Sequence, residues 1–214
     1  MNHDDCISWD YGTHPQVHTV AENCKQFLEE LRADPSSKSA ALQDTRPFHR
    51  AMFAAVVPLA CSYIAGNYRG EDFECLRNCD VTFGPHRGIM PIGVVVAMEL
   101  FHGDLAESLQ ELDAAAQNTA TPLAGSAFLV RLVQLLAAAL TRFLTIHPYM
   151  NGNGHMGRLV VWCALGRYNR LPVTWWLNKR PPGDYGTLLS QHRDGNRKPL
   201  EAFLLKCIIG KIAA

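Results

Sequence analysis

The residues best suited to chemistry lie in one run of thirteen, Ile146 to Arg158, which reads IHPYMNGNGHMGR. Two glycines bracket Asn153 in this run, just before an apolar stretch with helical spacing. A Gly-Asn-Gly turn that opens a helix leaves several backbone N–H groups unpaired, and a helix N-terminus adds partial positive charge. The spacing therefore predicts an anion-binding site at residues 152–154.

Two side chains flank this predicted site. His147 lies a few residues upstream, and its imidazole titrates near neutral pH, so it could act as a base beside a bound anion. Arg158 lies four residues past Gly154, one helical turn on, where its guanidinium would reach the distal end of a polyphosphate. The structural alternatives are a histidine that ends the preceding helix and an arginine on the surface.

The whole run resembles the signature of the Fic family of nucleotidyl transferases. That signature reads His-Pro-Phe, two residues of which the second is acidic, then Gly-Asn-Gly-Arg, two residues and Arg. Tyr149 replaces the Phe conservatively. The segment Gly66-Asn-Tyr-Arg69 and the pair Arg180 and Tyr185 also resemble patterns of the family. The positions that match the signature itself are His147, Pro148, Gly152, Asn153, Gly154 and Arg158.

Two positions depart from the signature. Asn151 stands where the family has Asp or Glu, and a carboxylate there would hold Mg²⁺ between the phosphates. Asn offers the cation only one neutral oxygen, so it is a weak metal candidate. His155 stands where the family has its first Arg; it would bind phosphate best when protonated, without the planar fork of Arg.

The resemblance implies transfer of AMP, or another nucleotide monophosphate, from ATP or another NTP to a Ser, Thr or Tyr hydroxyl of a target protein. His147 would be the general base and Mg²⁺ or Mn²⁺ the metal. The amides of Gly152, Asn153 and Gly154 would bind the α- and β-phosphates, with the Asn153 side chain fixing the loop or donating to the α-phosphate. Arg158 would bind the terminal phosphate, with His155 as a further phosphate ligand.

Two alternatives stay open. Asn151 and His155 favour a weak or inactive Fic domain that binds nucleotide or a partner protein without turnover. A Fic enzyme with a different donor, such as phosphocholine or another phosphate ester, is the second alternative. Gly154 argues against a variant that transfers phosphate, because such relatives usually have Lys at this position.

The periodicity predicts one all-helical domain over 1–214 with a small β-hairpin. The resemblance covers 48–210, which form the core, and 1–33 form an N-terminal segment. The hairpin lies between 79 and 90, and the resemblance makes it a flap over the nucleotide. Phe83 on this flap would hold a target segment by strand addition; an ordinary edge hairpin is the alternative. Helices are predicted at 19–31, at 48–64 with a kink at Pro58, at 91–101 continuing through 105–116, after a Thr121-Pro122 cap, and at 154–168, 184–192 and 199–210.

Two interpretations compete for Glu22. Many Fic proteins carry an inhibitory helix, Ser/Thr-x-x-x-Glu-Gly/Asn, whose Glu pairs with the second motif Arg. Glu22 is followed by Asn23, as in that pattern, although His18 holds the hydroxyl position. The helix at 19–31 is therefore a candidate inhibitory helix. Alternatively, Thr19 and Glu22 form a capping box at its start.

Composition narrows the classes of partner. Lys and Arg number 20, as do Asp and Glu, and no basic block occurs, so nucleic acid is an unexpected ligand. The longest apolar run, 122–146, contains Arg131, Gln134 and Arg142, which favours a core helix over a membrane span. The expected partner is the target protein, with a homodimer left open.

Cysteine usage and the N-terminus bear on location. The seven cysteines are scattered, and several fall in apolar helical stretches, as buried thiols do. Cys75 and Cys79 have no second pair or suitably spaced His, which disfavours zinc. The polar N-terminus lacks the apolar region of a signal peptide. A reducing cytoplasm is the expected location, or the inside of a host or neighbouring cell if the protein is a delivered effector.

Overall fold

The computed structural model describes residues 6, 9–118, 123–175, 177–181 and 183–210. In this part of the chain α-helices dominate, and the strands form one two-stranded antiparallel sheet with Phe83 opposite His86. The predicted all-helical fold with a small hairpin is therefore confirmed. The elements are α1 (Val17–Ala33), α2 (Arg46–Phe53), β1 (Thr82–Phe83), β2 (His86–Arg87), α3 (Val94–Gln117), α4 (Gly125–Ile146), α5 (Asn153–Gly166), α6 (Tyr185–Arg193) and α7 (Lys198–Ile209).

Helices α4 and α5 lie at the centre and position the motif loop between them. One face of α4 carries Leu132, Leu136, Leu140 and Phe143, all buried at helical spacing. Every residue of α5 except Gly154 is buried, as expected of a helix surrounded by protein. The loop of residues 147–152 is thus attached at both ends to well-packed helices.

Within the part of the chain that the structure describes, α4 is the helix long and apolar enough to cross a membrane by length and composition. It packs against α3, α5, α6 and α7 in the fold. The predicted cap at Thr121-Pro122 lies outside the described residues.

The long helix predicted at 48–64 is wrong in its extent. Helix α2 ends at Phe53, and short 3₁₀ segments follow at Ala54–Val56 and Leu59–Ile64. Val57 between them is extended, with φ −93° and ψ 135°. A proline sterically disfavours the α conformation in the residue before it, so Pro58 breaks the helix rather than kinking it.

Helix α1 begins earlier than predicted, which removes one interpretation of Glu22. The N-cap residue is Gln16 and the first helical residue is Val17, so Thr19 lies inside the first turn. The backbone N–H of Thr19 donates to the carbonyl of Gln16 over 3.0 Å, a bond available only inside a turn that has already begun. The predicted Thr19–Glu22 capping box is therefore wrong.

The chain before α1 is attached to the segment after α2. Cys6 and Cys61 form a disulfide with Cα atoms 5.9 Å apart, so these two cysteines are not the free thiols expected from the sequence. The Trp9 indole N–H also donates to the Val56 carbonyl over 2.8 Å, and the Trp9 side chain is buried. We call residues 9–13, which end in the 3₁₀ turn Tyr11–Thr13, the strap.

Candidate functional site

The motif loop presents two free backbone donors. Gly152 is the N-cap of α5 with φ 80°, and a Cβ there would lie 2.5 Å from Phe53 Cε2, so the position needs glycine. The N–H groups of Asn153 and Gly154 have no protein partner among the described residues. The N–H of Gly152 donates to Asn151 Oδ1 over 2.8 Å. The loop therefore offers an anion two donors, not the three expected.

The side chain of Asn153 holds the loop closed. Its Oδ1 accepts from the Tyr149 N–H over 2.8 Å, and its Nδ2 donates to the Tyr149 carbonyl over 2.7 Å. Asn153 is 3% exposed, so this amide acts inside the loop rather than on a ligand. Of the two roles expected for the side chain, fixing the loop is the one that its contacts fit.

His49 supports the same loop and was missed from the sequence. Its Nδ1 accepts from the Gly66 N–H over 3.0 Å, which leaves the proton on Nε2. That Nε2 donates to the Asn151 carbonyl over 3.0 Å, and the ring stacks on Tyr149 at 3.8 Å. Burial lowers the pKa of His49 to about 3, so the ring stays neutral. A lone histidine in an apolar stretch carries no signal of this role.

Arg69 links the flap to the end of α4. Its fully buried guanidinium donates to four backbone carbonyls, at distances between 2.6 and 3.1 Å. Arg69 belongs to the segment Gly66-Asn-Tyr-Arg69 that the sequence singled out, but its contacts could not be read from it. The four carbonyls belong to Cys79, Ile89, Ile146 and His147.

His147 ends α4 in a left-handed conformation, with φ 54° and ψ 60°. Its Nδ1 lies 3.2 Å from the Leu144 carbonyl; since a carbonyl only accepts, Nδ1 carries the proton and Nε2 keeps its lone pair. Burial, with smaller contributions from the charges of Arg69 and Arg193, lowers the pKa of His147 to about 4. The imidazole is therefore neutral and able to accept a proton at physiological pH.

The hairpin covers this histidine. The Phe83 ring stacks on His147 with centroids 4.7 Å apart and planes 5° apart. The Arg193 guanidinium also lies over the Phe83 ring, 4.6 Å from its centroid, and Arg193 Nε donates to Thr145 Oγ1 over 3.1 Å. Phe83 thus contacts the predicted base itself.

Arg158 is buried beside the loop. Its Nε and Nη2 donate to the Leu177 carbonyl over 3.1 and 2.9 Å. Nη1 is the heavy atom closest to where a Cβ on Gly154 would lie, at 3.2 Å. Nη1 is not used in these bonds, and Arg158 lines the same cavity as Asn153 and Gly154, so Nη1 is the guanidinium nitrogen left for a ligand.

His155 does not fit the expected role of phosphate ligand. Its Nδ1 lies 3.0 Å from the Leu177 carbonyl and 3.2 Å from Arg158 Nη2, and its Nε2 lies 3.1 Å from the Tyr11 hydroxyl. Burial first, and the charge of Arg158 second, lower the pKa of His155 to about 4. The ring is neutral and both nitrogens are engaged.

Glu22 does not contact Arg158. Its side chain is exposed on α1 and forms no ion pair within the described residues. Cys24 is the residue of α1 that faces the site, with Sγ 3.6 Å from His155 Nδ1. The ion pair expected of an inhibitory glutamate is therefore not formed in this structure.

These groups line one cavity of about 900 Å³. His147, the loop and Arg158 all border it, and Arg180 and Arg193 add two more guanidinium groups. No Asp or Glu is among the described residues that line it. Such a cavity suits a polyanion the size of a nucleotide.

The fit of a divalent cation depends on Asn151. Its Oδ1 already accepts from the Gly152 N–H, and its Nδ2 donates to Asp10 over 3.2 Å. The described residues contain no cluster of three His, Cys, Asp or Glu that could hold a metal alone. The site therefore fits an ion such as Mg²⁺ only if phosphate oxygens supply most of its ligands, as is usual for that ion.

Comparison with known proteins agrees with this geometry. The model of the Fic/DOC family matches residues 41–165. A crystal structure of a Fic-domain-containing signaling protein from Bacteroides thetaiotaomicron superposes with a TM-score of 0.54 and 20% identity, over 89% of this chain and 68% of that chain. At this identity the likeness concerns the fold. No curated protein matches the chain significantly.

Proposed function

Because the chain belongs to the Fic/DOC family, whose members generally transfer phosphate-ester groups such as AMP to proteins, we propose that it is a protein nucleotidyl transferase. The donor is ATP or another NTP, and the acceptor is a Ser, Thr or Tyr hydroxyl of a target protein. One observation carries the proposal: a neutral His147 with a free Nε2 borders the same cavity as the free N–H groups of Asn153 and Gly154.

The reaction follows from these groups. The α- and β-phosphates lie against the two free amides at the start of α5, where the helix dipole favours negative charge. The target hydroxyl gives its proton to His147 Nε2, and its oxygen forms a bond to the α-phosphorus. The bond from the α-phosphorus to the α–β bridging oxygen breaks, and pyrophosphate leaves. Arg158 Nη1 offsets the charge on the departing phosphates.

A divalent cation, Mg²⁺ or Mn²⁺, would offset further phosphate charge when bound. Asn151 occupies the position of the family's acidic residue, but its oxygen is engaged by Gly152 and carries no full charge. Phosphate oxygens would therefore dominate the coordination, and Asn151 alone predicts weak dependence on the metal.

Nucleotide binding without turnover is the second candidate, and a specific observation favours it. Phe83 lies flat on His147, and Tyr11 borders the cavity with its hydroxyl on His155. The flap therefore occupies space beside His147 that a target segment approaching the base would need. A domain whose flap stays closed would bind nucleotide without transferring it.

Autolabelling tests the proposal. The full chain is incubated with α-labelled ATP, GTP, UTP or CTP and Mg²⁺ or Mn²⁺, alone and with cell extract. We expect covalent label that His147→Ala removes and that His18→Ala, a change of an exposed histidine on α1, leaves intact. Tight nucleotide binding without label under every condition would favour the second candidate.

A further inference from the structure

Three arginine side chains line the cavity, and no carboxylate accompanies them. Arg158, Arg180 and Arg193 are among the lining residues, while the described lining residues include no Asp or Glu. Within the part of the chain that the structure describes, none of the three forms a salt bridge. Cations gathered without a counter-charge repel one another, and a bound polyanion relieves that repulsion.

Arg180 reaches its position across a glycine. Gly186 lies in the first turn of α6, and a Cβ there would lie 2.2 Å from Arg180 Nη2. The guanidinium therefore occupies space that a side chain at position 186 would fill. The N-terminal turn of a helix carries partial positive charge, so a cation there is stabilised by a bound anion and not by the helix.

Arg193 lies beside the base. Its guanidinium is 4.6 Å from the centroid of Phe83, the ring that stacks on His147. Arg193 Nε donates to Thr145 Oγ1, while Nη1 and Nη2 form no hydrogen bond within the described residues. The guanidinium is thus held in place by its stacking and by one bond, with two nitrogens left for a ligand.

The effects of charge place the arginines in order along the cavity. Burial is the main cause of the low pKa of His147, and the charge of Arg193 lowers it further. Burial likewise lowers the pKa of Arg158, and there the charge of Arg180 adds to the effect. Burial raises the pKa of Tyr185, which also lines the cavity, and the charge of each of the three arginines lowers it. Arg193 is therefore close to the base, Arg180 is close to Arg158, and Tyr185 lies within reach of all three.

From this arrangement we infer that Arg193 and Arg180 hold the donor in place of a divalent cation, with Arg193 on the α-phosphate and Arg180 joining Arg158 on the terminal phosphates. The motif loop is consistent with this assignment. Asn151 carries no full charge, and its side-chain oxygen already accepts from the Gly152 N–H. Arginine suits the task because its planar fork of N–H groups matches phosphate oxygens and keeps its charge at every physiological pH.

Binding of a donor analogue with and without metal tests the inference in the absence of transfer. The probe is an ATP analogue with a methylene group between the α- and β-phosphorus atoms, titrated calorimetrically into the full chain in EDTA or in Mg²⁺. The parent should bind it in EDTA within a few fold of its affinity in Mg²⁺. Arg180→Met and Arg193→Met should each weaken binding in EDTA by about tenfold or more, since each removes charged hydrogen bonds to phosphate.

Arg170→Met is the matched control. Arg170 is exposed, does not line the cavity and lies beyond the end of α5 opposite to the motif loop. Its replacement should leave binding unchanged in both buffers. Arg193→Lys keeps the positive charge and should retain more affinity than Arg193→Met, which separates the effect of charge from that of packing.

Gly186→Ala tests the position of Arg180 without removing the arginine. The added methyl group would displace the guanidinium, so affinity in EDTA should fall. Alanine favours a helix more than glycine does, so the melting temperature should hold or rise. A loss of affinity in a protein that is at least as stable as the parent cannot come from misfolding.

An affinity of the parent that falls by about tenfold or more in EDTA would overturn the inference. Unchanged affinity in Arg180→Met, Arg193→Met or Gly186→Ala would also overturn it. The inference rests on the proposed function, but the two fail differently. Binding in EDTA that depends on both arginines, without covalent label from ATP, removes only the function. Covalent label in a protein whose nucleotide binding neither arginine affects removes only the inference.

Discussion

Phe83 lies flat on His147, with ring centroids 4.7 Å apart and planes 5° apart. The imidazole is thus covered by the flap on one face, while its Nδ1 is fixed by the Leu144 carbonyl. Burial is the largest cause of the low pKa of His147. The flap residue expected to contact a target is therefore also the residue that shields the base from water.

Phe83→Ala should raise the pKa of His147 from about 4 toward the ordinary histidine value, because water then solvates the charged form. NMR titration of the imidazole measures this directly. Thr82→Ala, an exposed change on the same strand, is the control and should leave the titration unmoved. An unshifted midpoint in Phe83→Ala would mean that stacking by Phe83 does not control solvation of the base.

Acid should destabilise the protein through its buried histidines. His147 and His155 have pKa values of about 4 in the fold, below the ordinary value near 6.5. Between these values the unfolded chain takes up protons that the fold excludes, so the free energy of unfolding falls as pH drops from about 6.5 to 4. Each excluded proton contributes at most about 1.4 kcal/mol per pH unit.

Urea unfolding measured across this pH range should show that the free energy of unfolding depends less steeply on pH in His155→Gln than in the parent. His18→Gln, on the exposed face of α1, should keep the parent slope. Equal slopes in all three proteins would show that His155 is protonated to the same degree in both states, contrary to its burial beside Arg158.

Glu22→Gly should not activate the protein. Glu22 is exposed and has no ion pair with Arg158 to release. The change should cost about 1 kcal/mol, because glycine is a poor residue in a helix interior. Autolabelling should therefore stay flat while the melting temperature drops, and Glu22→Ala should keep both near the parent. A rise in labelling of tenfold or more would restore Glu22 as a brake.

Arg69→Met should be the most damaging change away from the cavity. It leaves four backbone carbonyls, of which that of Ile146 is buried, without their donor, which we expect to cost about 3–5 kcal/mol of unfolding free energy. Arg170→Met, at an exposed arginine, is the matched control. Chemical denaturation measures both, and a loss below about 1 kcal/mol for Arg69→Met would contradict the stabilising role of Arg69.

Local patterns predicted the parts of this molecule that depend on neighbouring residues. The apolar stripe of α4 and the start of α5 at a Gly-Asn-Gly turn follow from helical spacing and from glycine geometry. At Pro58 a kink in a helix over 48–64 was predicted, whereas α2 ends at Phe53 and Val57, the residue before the proline, is extended.

The remaining features join residues far apart in sequence. His155 was expected to bind phosphate, yet Tyr11 reaches it across 144 positions and the Leu177 carbonyl across 22. His49 reaches Asn151 across 102 positions. No periodicity or spacing encodes such contacts, so the roles of the strap, of His49 and of Arg69 came only from the fold.

The position of the label in the donor tests the central claim most directly. The protein is incubated in parallel with ATP labelled at the α-phosphate and at the γ-phosphate, and the covalent product is quantified for the parent and His147→Ala. We predict label from the α-phosphate only, and a loss of about 10²–10⁴ in rate for His147→Ala with nucleotide affinity within a few fold. Label from the γ-phosphate, or an undiminished rate in His147→Ala, would contradict nucleotidyl transfer with His147 as the base.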